Sequence, residues 1–125
     1  MKEMIYKKDR EREILEQGTY KGYNYKIISY GWHPCAYIEI PNTDKLYNKN
    51  YYDVDIECHC GLTYGDFRDF GDGIKFYYGW DYAHCFDYSG INNVELNATC
   101  KKWTTQEILN EVFIAIDSLI KLEEK

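Results

Sequence analysis

Hydrophobic and polar residues change period several times along the chain, and each change marks an element. Residues 2–17 mix Lys, Glu and Arg with only Met4, Ile5, Ile14 and Leu15 as large aliphatic positions, and they end at Gly18. That pattern predicts a charged peripheral helix over 1–17, closed by a glycine just past its end. So thin an apolar stripe suits a helix on the surface or against another subunit. From Gly18 to Ile40 the period shortens to two. Tyr23, Tyr25 and Ile27 alternate with Asn24 and Lys26, and Ala36, Ile38 and Ile40 alternate with Tyr37 and Glu39. With Gly31 to Pro34 as the turn, this predicts a hairpin. Pro41 ends the second strand, and 42–50 reads as a polar loop.

The clearest alternation follows. Val54, Ile56, Cys58 and Cys60 fall on one side of a predicted strand, and Asp53, Asp55, Glu57 and His59 on the other. The segment 61–73 holds four glycines and three aspartates, which predicts a loop or a wide hairpin connection. Ile74, Phe76, Tyr78, Trp80 and Tyr82 make the apolar side of another strand, and Val94 to Cys100 a last short one. At the C-terminus, Thr104 and Glu107 form a capping box, with Trp103 placed to staple onto Ile108. Ile108, Leu109, Val112, Phe113, Ile116, Leu119 and Ile120 then form one stripe at helical spacing. Consecutive strands with short connections favour antiparallel pairing. The expected class is therefore α+β: an antiparallel sheet of four to five strands, covered by a C-terminal amphipathic helix and joined by a charged N-terminal helix.

Length and composition narrow the function. A chain of 125 residues fits a single domain over 1–125 with one core. A net charge of -6 has the wrong sign for a long phosphate backbone, so a small nucleotide is a better expectation than polymeric nucleic acid. No run is long and apolar enough for a membrane span or a signal-peptide core, which makes the cytoplasm the expected compartment. Five cysteines, an odd number, are expected to be reduced rather than to form a disulfide framework. The 14 tyrosines suit a wet pocket or an interface, since each ring brings a hydroxyl that needs a partner; half-buried strand positions would also use them.

Two constellations can carry chemistry. On a strand, Asp55, Glu57 and His59 would project the same way along about 13 Å, close enough for neighbours to share a ligand or a metal. An exposed strand face carries such residues in any case. Asp81, His84 and Asp87 are spaced three apart at the end of the next strand. If the two strands pair, His59 and the Asp81 to Asp87 segment converge on one rim of the sheet. Two histidines with carboxylates could there bind a divalent metal or run acid-base chemistry. Loop aspartates that merely cap turns read equally well. Cys58 and Cys60 lie one residue apart, unlike zinc knuckles, and neither the phosphate-loop nor the dinucleotide glycine pattern is present, so no cofactor is expected.

The runs Asp55 to Tyr64, DIECHCGLTY, and Trp80 to Asp87, WDYAHCFD, resemble an uncharacterised family of small phage and bacterial proteins. Its pattern is His-Gly-Gly-Leu-Thr-aromatic followed by aromatic-Asp-x-Ala-His-x-x-Asp. His59, Gly61, Thr63, Asp81, His84 and Asp87 match, whereas Cys60 stands where the pattern has glycine. The resemblance implies a phage accessory protein acting in the host cytoplasm. Phage proteins that sequester cyclic nucleotide immune signals are similar in kind.

The leading expectation is thus a non-catalytic module that binds and sequesters a small, cyclic nucleotide signal, with His59, Thr63, Tyr64, Arg68, Trp80, Asp81, His84 and Asp87 as ligand-binding residues. A hydrolase of such a signal is the first alternative, using His59, His84 and Asp81, or a metal held by Asp55, Glu57 and His59. The second is a protein that inhibits a host enzyme by surface contact, for which the sparse N-terminal helix and the many tyrosines would serve; a homo-oligomer is an expectation common to all three readings.

Overall fold

The computed structural model describes residues 13–29, 33–82 and 103–124. Within them lie β1 (Glu13–Tyr20), β2 (Tyr23–Ser29), β3 (Pro34–Glu39), a 3-10 turn (Tyr51–Asp53), β4 (Tyr64–Asp69), β5 (Ile74–Asp81) and helix α1 (Thr105–Glu124). The strands form one sheet in the order β1-β2-β3-β5-β4, every neighbouring pair antiparallel. The class is α+β, as the patterns predicted.

β2, β3, β5 and α1 fall where the periodicity put them. Ile27, Ala36, Ile38, Phe76, Tyr78 and Trp80 line one face of the sheet, and Ile108, Val112, Ala115, Ile116 and Leu119 of α1 pack against it. Full burial of an aliphatic side chain contributes roughly 1.5–3 kcal/mol, so this stripe fixes the helix on the sheet. The capping box forms: the Glu107 amide donates to Thr104 Oγ1 at 3.2 Å, and Glu107 Oε1 accepts the Thr104 amide at 3.0 Å. α1 lies over β1, β2 and β3. The β5 side of the same face is covered by the irregular segment 40–63, through Leu46, Tyr47, Tyr51, Val54 and Ile56.

The N-terminal helix is corrected in part. Residues 13–17, inside the expected helix, belong to β1, while 1–12 lie outside the described residues. The cause is the turn that follows. Lys21 and Gly22, at φ 50° and 89°, close a two-residue hairpin loop between paired Tyr20 and Tyr23. Gly18 ends no helix: it sits in β1 under the Tyr25 ring, where a Cβ would come within 2.7 Å of the hydroxyl. Tyr20 stacks on Phe113 of α1, centroids 4.3 Å apart, which ties the hairpin to the helix.

Two further corrections concern the middle of the chain. The strand expected over 53–60 is absent. Val54 and Ile56 are buried and Asp55 and Glu57 exposed, so the alternation is real, but the backbone pairs with no strand among the described residues and the Glu57 amide donates instead to Ser118 Oγ of α1. The expected core side ends early, since Cys58 is half-buried and Cys60 is exposed at φ 58°. Conversely, the expected loop 61–73 contains β4, an edge strand joined to β5 by the turn at 70–73. The strand expected over 94–100 lies outside the described residues.

Candidate functional site

Where β3 begins and β5 ends, Cys35 stands opposite Asp81 and Ala36 opposite Trp80. Thr63, just before β4, donates its amide to the Gly79 carbonyl at 2.9 Å and its hydroxyl to Asp81 Oδ2 at 3.3 Å. Together with Tyr37 and Tyr64, these residues enclose a pocket of about 140 Å³ lined by Cys35, Tyr37, Thr63, Tyr64, Trp80 and Asp81. Its walls are aromatic and its polar groups few. The Tyr37 and Tyr64 rings meet edge to face at 5.5 Å, and Arg68 donates to the Tyr37 hydroxyl at 3.3 Å while lying 4.7 Å over the Phe70 ring. Gly79 gives Tyr37 its place: a Cβ there would stand 2.8 Å from that ring and from the Ala36 carbonyl. Burial, then the Asp81 carboxylate, pushes the Cys35 thiol up to about 12. Cys35 is therefore a neutral wall at physiological pH.

A second, shallower depression of about 260 Å³ is lined by Glu57, Cys58, His59, Glu111 and Ile114. His59 stacks on Tyr82 at 4.6 Å between centroids and meets Trp103 edge-on at 4.9 Å. Behind it runs a chain of hydrogen bonds: buried Trp80 donates Nε1–H to the Tyr82 hydroxyl at 3.0 Å, and Tyr82 donates to Glu111. Burial and the Glu111 acceptor both raise the Tyr82 phenol, and burial pushes the Cys58 thiol up to about 12.

The sequence-derived candidates thus divide. Thr63, Tyr64, Trp80 and Asp81 share one pocket, with Arg68 joined to it through Tyr37, whereas His59 lines the other. His84 and Asp87 lie outside the described residues. Asp55, Glu57 and His59 do not form the ladder expected of a strand, and among the described residues no three His, Cys, Asp or Glu side chains are grouped to hold a metal ion. Cys35, Tyr37, Tyr82 and Glu111 were not singled out from the sequence. Tyr37 was open to view as the outward position between Ala36 and Ile38; Glu111 gave no signal, being one more polar residue on an amphipathic helix.

No helix among the described residues is long and apolar enough to cross a membrane. No family model matches the chain, and neither a curated protein nor a solved structure matches it.

Proposed function

We propose that the protein is a non-catalytic binding module for a small nucleotide, whose base enters the pocket between β3, β5 and the start of β4. The observation that carries this is the convergence of Tyr37, Tyr64, Thr63 and Asp81 around one small cavity. Aromatic walls offer a flat ring stacking worth about 1–3 kcal/mol. The Asp81 carboxylate accepts hydrogen bonds from ring or exocyclic N–H groups, and Arg68 puts a positive charge beside the pocket for phosphate. Burial holds the Cys35 thiol protonated, so Cys35 serves this pocket as a wall and not as a nucleophile, because the thiolate is the nucleophile.

The wider role, sequestration of a cyclic nucleotide signal during phage infection, rests on the motif resemblance. One backbone angle supports that resemblance. Cys60 stands at φ 58°, the left-handed region that favours the glycine of the motif.

Nucleotides released from the purified protein by heat and identified by mass spectrometry supply the test, followed by calorimetric titration of the one recovered. Asp81→Asn or Thr63→Val should weaken binding by roughly 10- to 100-fold, as loss of a charge-assisted hydrogen bond does. Recovery of no nucleotide would overturn the reading. Recovery of a hydrolysed one would replace binding by catalysis.

A further inference from the structure

The two outer strands of the sheet are finished differently. β1 carries a register shift between Ile14 and Glu16, an irregularity that twists an edge away from new partners. β4 runs in continuous register from Tyr64 opposite Gly79 to Asp69 opposite Ile74, contains no proline, and has no strand on its outer side among the described residues.

Its outward backbone can be identified. Phe76, opposite Phe67, gives its carbonyl to Ile40 on the far side, and the Phe67 amide donates to the Asp66 side chain at 2.7 Å instead of to β5. Phe67 and its alternate neighbours Gly65 and Asp69 therefore direct their N–H and C=O groups away from the sheet. The Phe67 ring is 42% exposed although it packs edge-on against Phe76, and Ile74 at the other end of the hairpin is 75% exposed.

The sequence of this edge is complementary to itself. Antiparallel pairing of two copies about a twofold axis at Phe67 sets Asp66 opposite Arg68 of the partner subunit, twice, and Gly65 opposite the partner's Asp69. Residues two apart share a face, so each opposed pair meets side by side. Opposite charges fall together and no like charges do. Arg68 is already held at this edge by Tyr37 and Phe70.

We infer that β4 is a self-association edge through which two copies of the chain join their sheets into one, with Phe67 on the dyad and Asp66 paired to the partner's Arg68. Phe67 exchanges its intrachain bond to Asp66 for the backbone of the second copy, which frees the Asp66 carboxylate for that guanidinium. Arg68 is shared with the pocket assigned above through Tyr37, whereas Asp66 and Phe67 lie outside its lining, so Asp66→Arg probes association apart from ligand binding.

Sedimentation equilibrium across a concentration series tests it. The wild type should be a reversible dimer. Asp66→Arg sets arginine against arginine and Arg68→Asp sets aspartate against aspartate, so each should weaken association by about tenfold or more. The double variant Asp66→Arg/Arg68→Asp restores complementarity and should return it. Circular dichroism and thermal melting identify a single variant that has lost its fold, and the double variant together with the remaining single then decides. A monomeric wild type, or a dimer indifferent to all three changes, overturns the proposal.

Discussion

On the face of the sheet that α1 covers, Ile27, Ile38, Phe76 and Trp80 meet Ile108, Val112, Ile116 and Leu119 in a largely hydrocarbon layer, in which the buried Tyr78 and Tyr82 hydroxyls are hydrogen-bonded. On the opposite face, Tyr37, Phe70 and Tyr77 share the surface with a buried lysine, and the Tyr77 hydroxyl is buried without a hydrogen-bond partner among the described residues. Lys26 reaches Asp72 of the β4–β5 turn at 3.1 Å, and Lys75 reaches both Asp72 and Glu39. The first face holds the domain together by area. The second trades area for polar groups placed at cost, and it is the face that the pocket opens on. Neighbouring residues of one strand show the contrast: Tyr78, on the helix side, donates to the Leu46 carbonyl at 2.7 Å and accepts from the Lys49 amide at 3.1 Å, while Tyr77 does neither.

The hydrocarbon face should break most completely. Val112→Asp or Ile116→Asp places a charge at a fully buried position, and circular dichroism should show loss of the cooperative transition. Lys121→Ala, at an exposed position on the same helix, should leave the melting temperature unchanged. A folded Ile116→Asp variant would mean that the helix is not seated as described. The tyrosine pair sharpens the comparison. Tyr78→Phe removes the part-buried hydrogen bonds to the Leu46 carbonyl and the Lys49 amide and should cost about 0.5–1.5 kcal/mol by denaturant unfolding, whereas Tyr77→Phe removes only a hydroxyl with no partner among the described residues and should be neutral or stabilising. Equal losses at the two positions would erase the distinction between the faces.

The smallest effect is electrostatic. The Lys26 ammonium, aided by Lys75, holds the Asp72 carboxyl below the usual carboxylate range. A carboxyl lowered by folding contributes stability that is complete above its unfolded value and lost as pH falls through the folded one. Asp72→Asn should therefore lower stability slightly at pH 7 and flatten its decline below about pH 4. The change should be modest because Asp72 is half-exposed and screened. Parallel pH profiles for the two proteins would show that this bridge is inert.

The elements that could be read from sequence are those whose pattern and pairing coincide. α1 announces itself through a capping box and a seven-residue stripe, and β5 through three alternating buried aromatics, Phe76, Tyr78 and Trp80. Around 53–60 the pattern was true and its usual meaning false. Alternating burial requires only an extended chain lying on a core, and Val54 and Ile56 satisfy that from an unpaired segment. β4 failed in the opposite sense, since an edge strand of Tyr, Gly, Asp, Phe, Arg and Asp shows no apolar face. Its one signal was Asp69, whose Oδ1 accepts the Gly71 and Gly73 amides and makes 70–73 a hairpin turn. The candidate pocket was legible through Thr63, Tyr64, Trp80 and Asp81. Its β3 wall was not, because Cys35 and Tyr37 become neighbours of Asp81 only through strand order.

The segment 40–63 has no strand or α-helix to hold it, and phenol hydroxyls take that part. Tyr23 of β2 donates to Asp44, which in turn accepts the Leu46 amide at 2.8 Å, and Tyr78 of β5 fastens Leu46 and Lys49. These two fasteners stand on strands separated by β3, so both can be closed together only once three strands are side by side. The segment is consequently expected to be fully fastened late in folding, a strap buckled over a finished sheet. Tyr23→Phe should hasten unfolding while refolding keeps its wild-type rate, and a slowed refolding limb would place the strap in the nucleus instead.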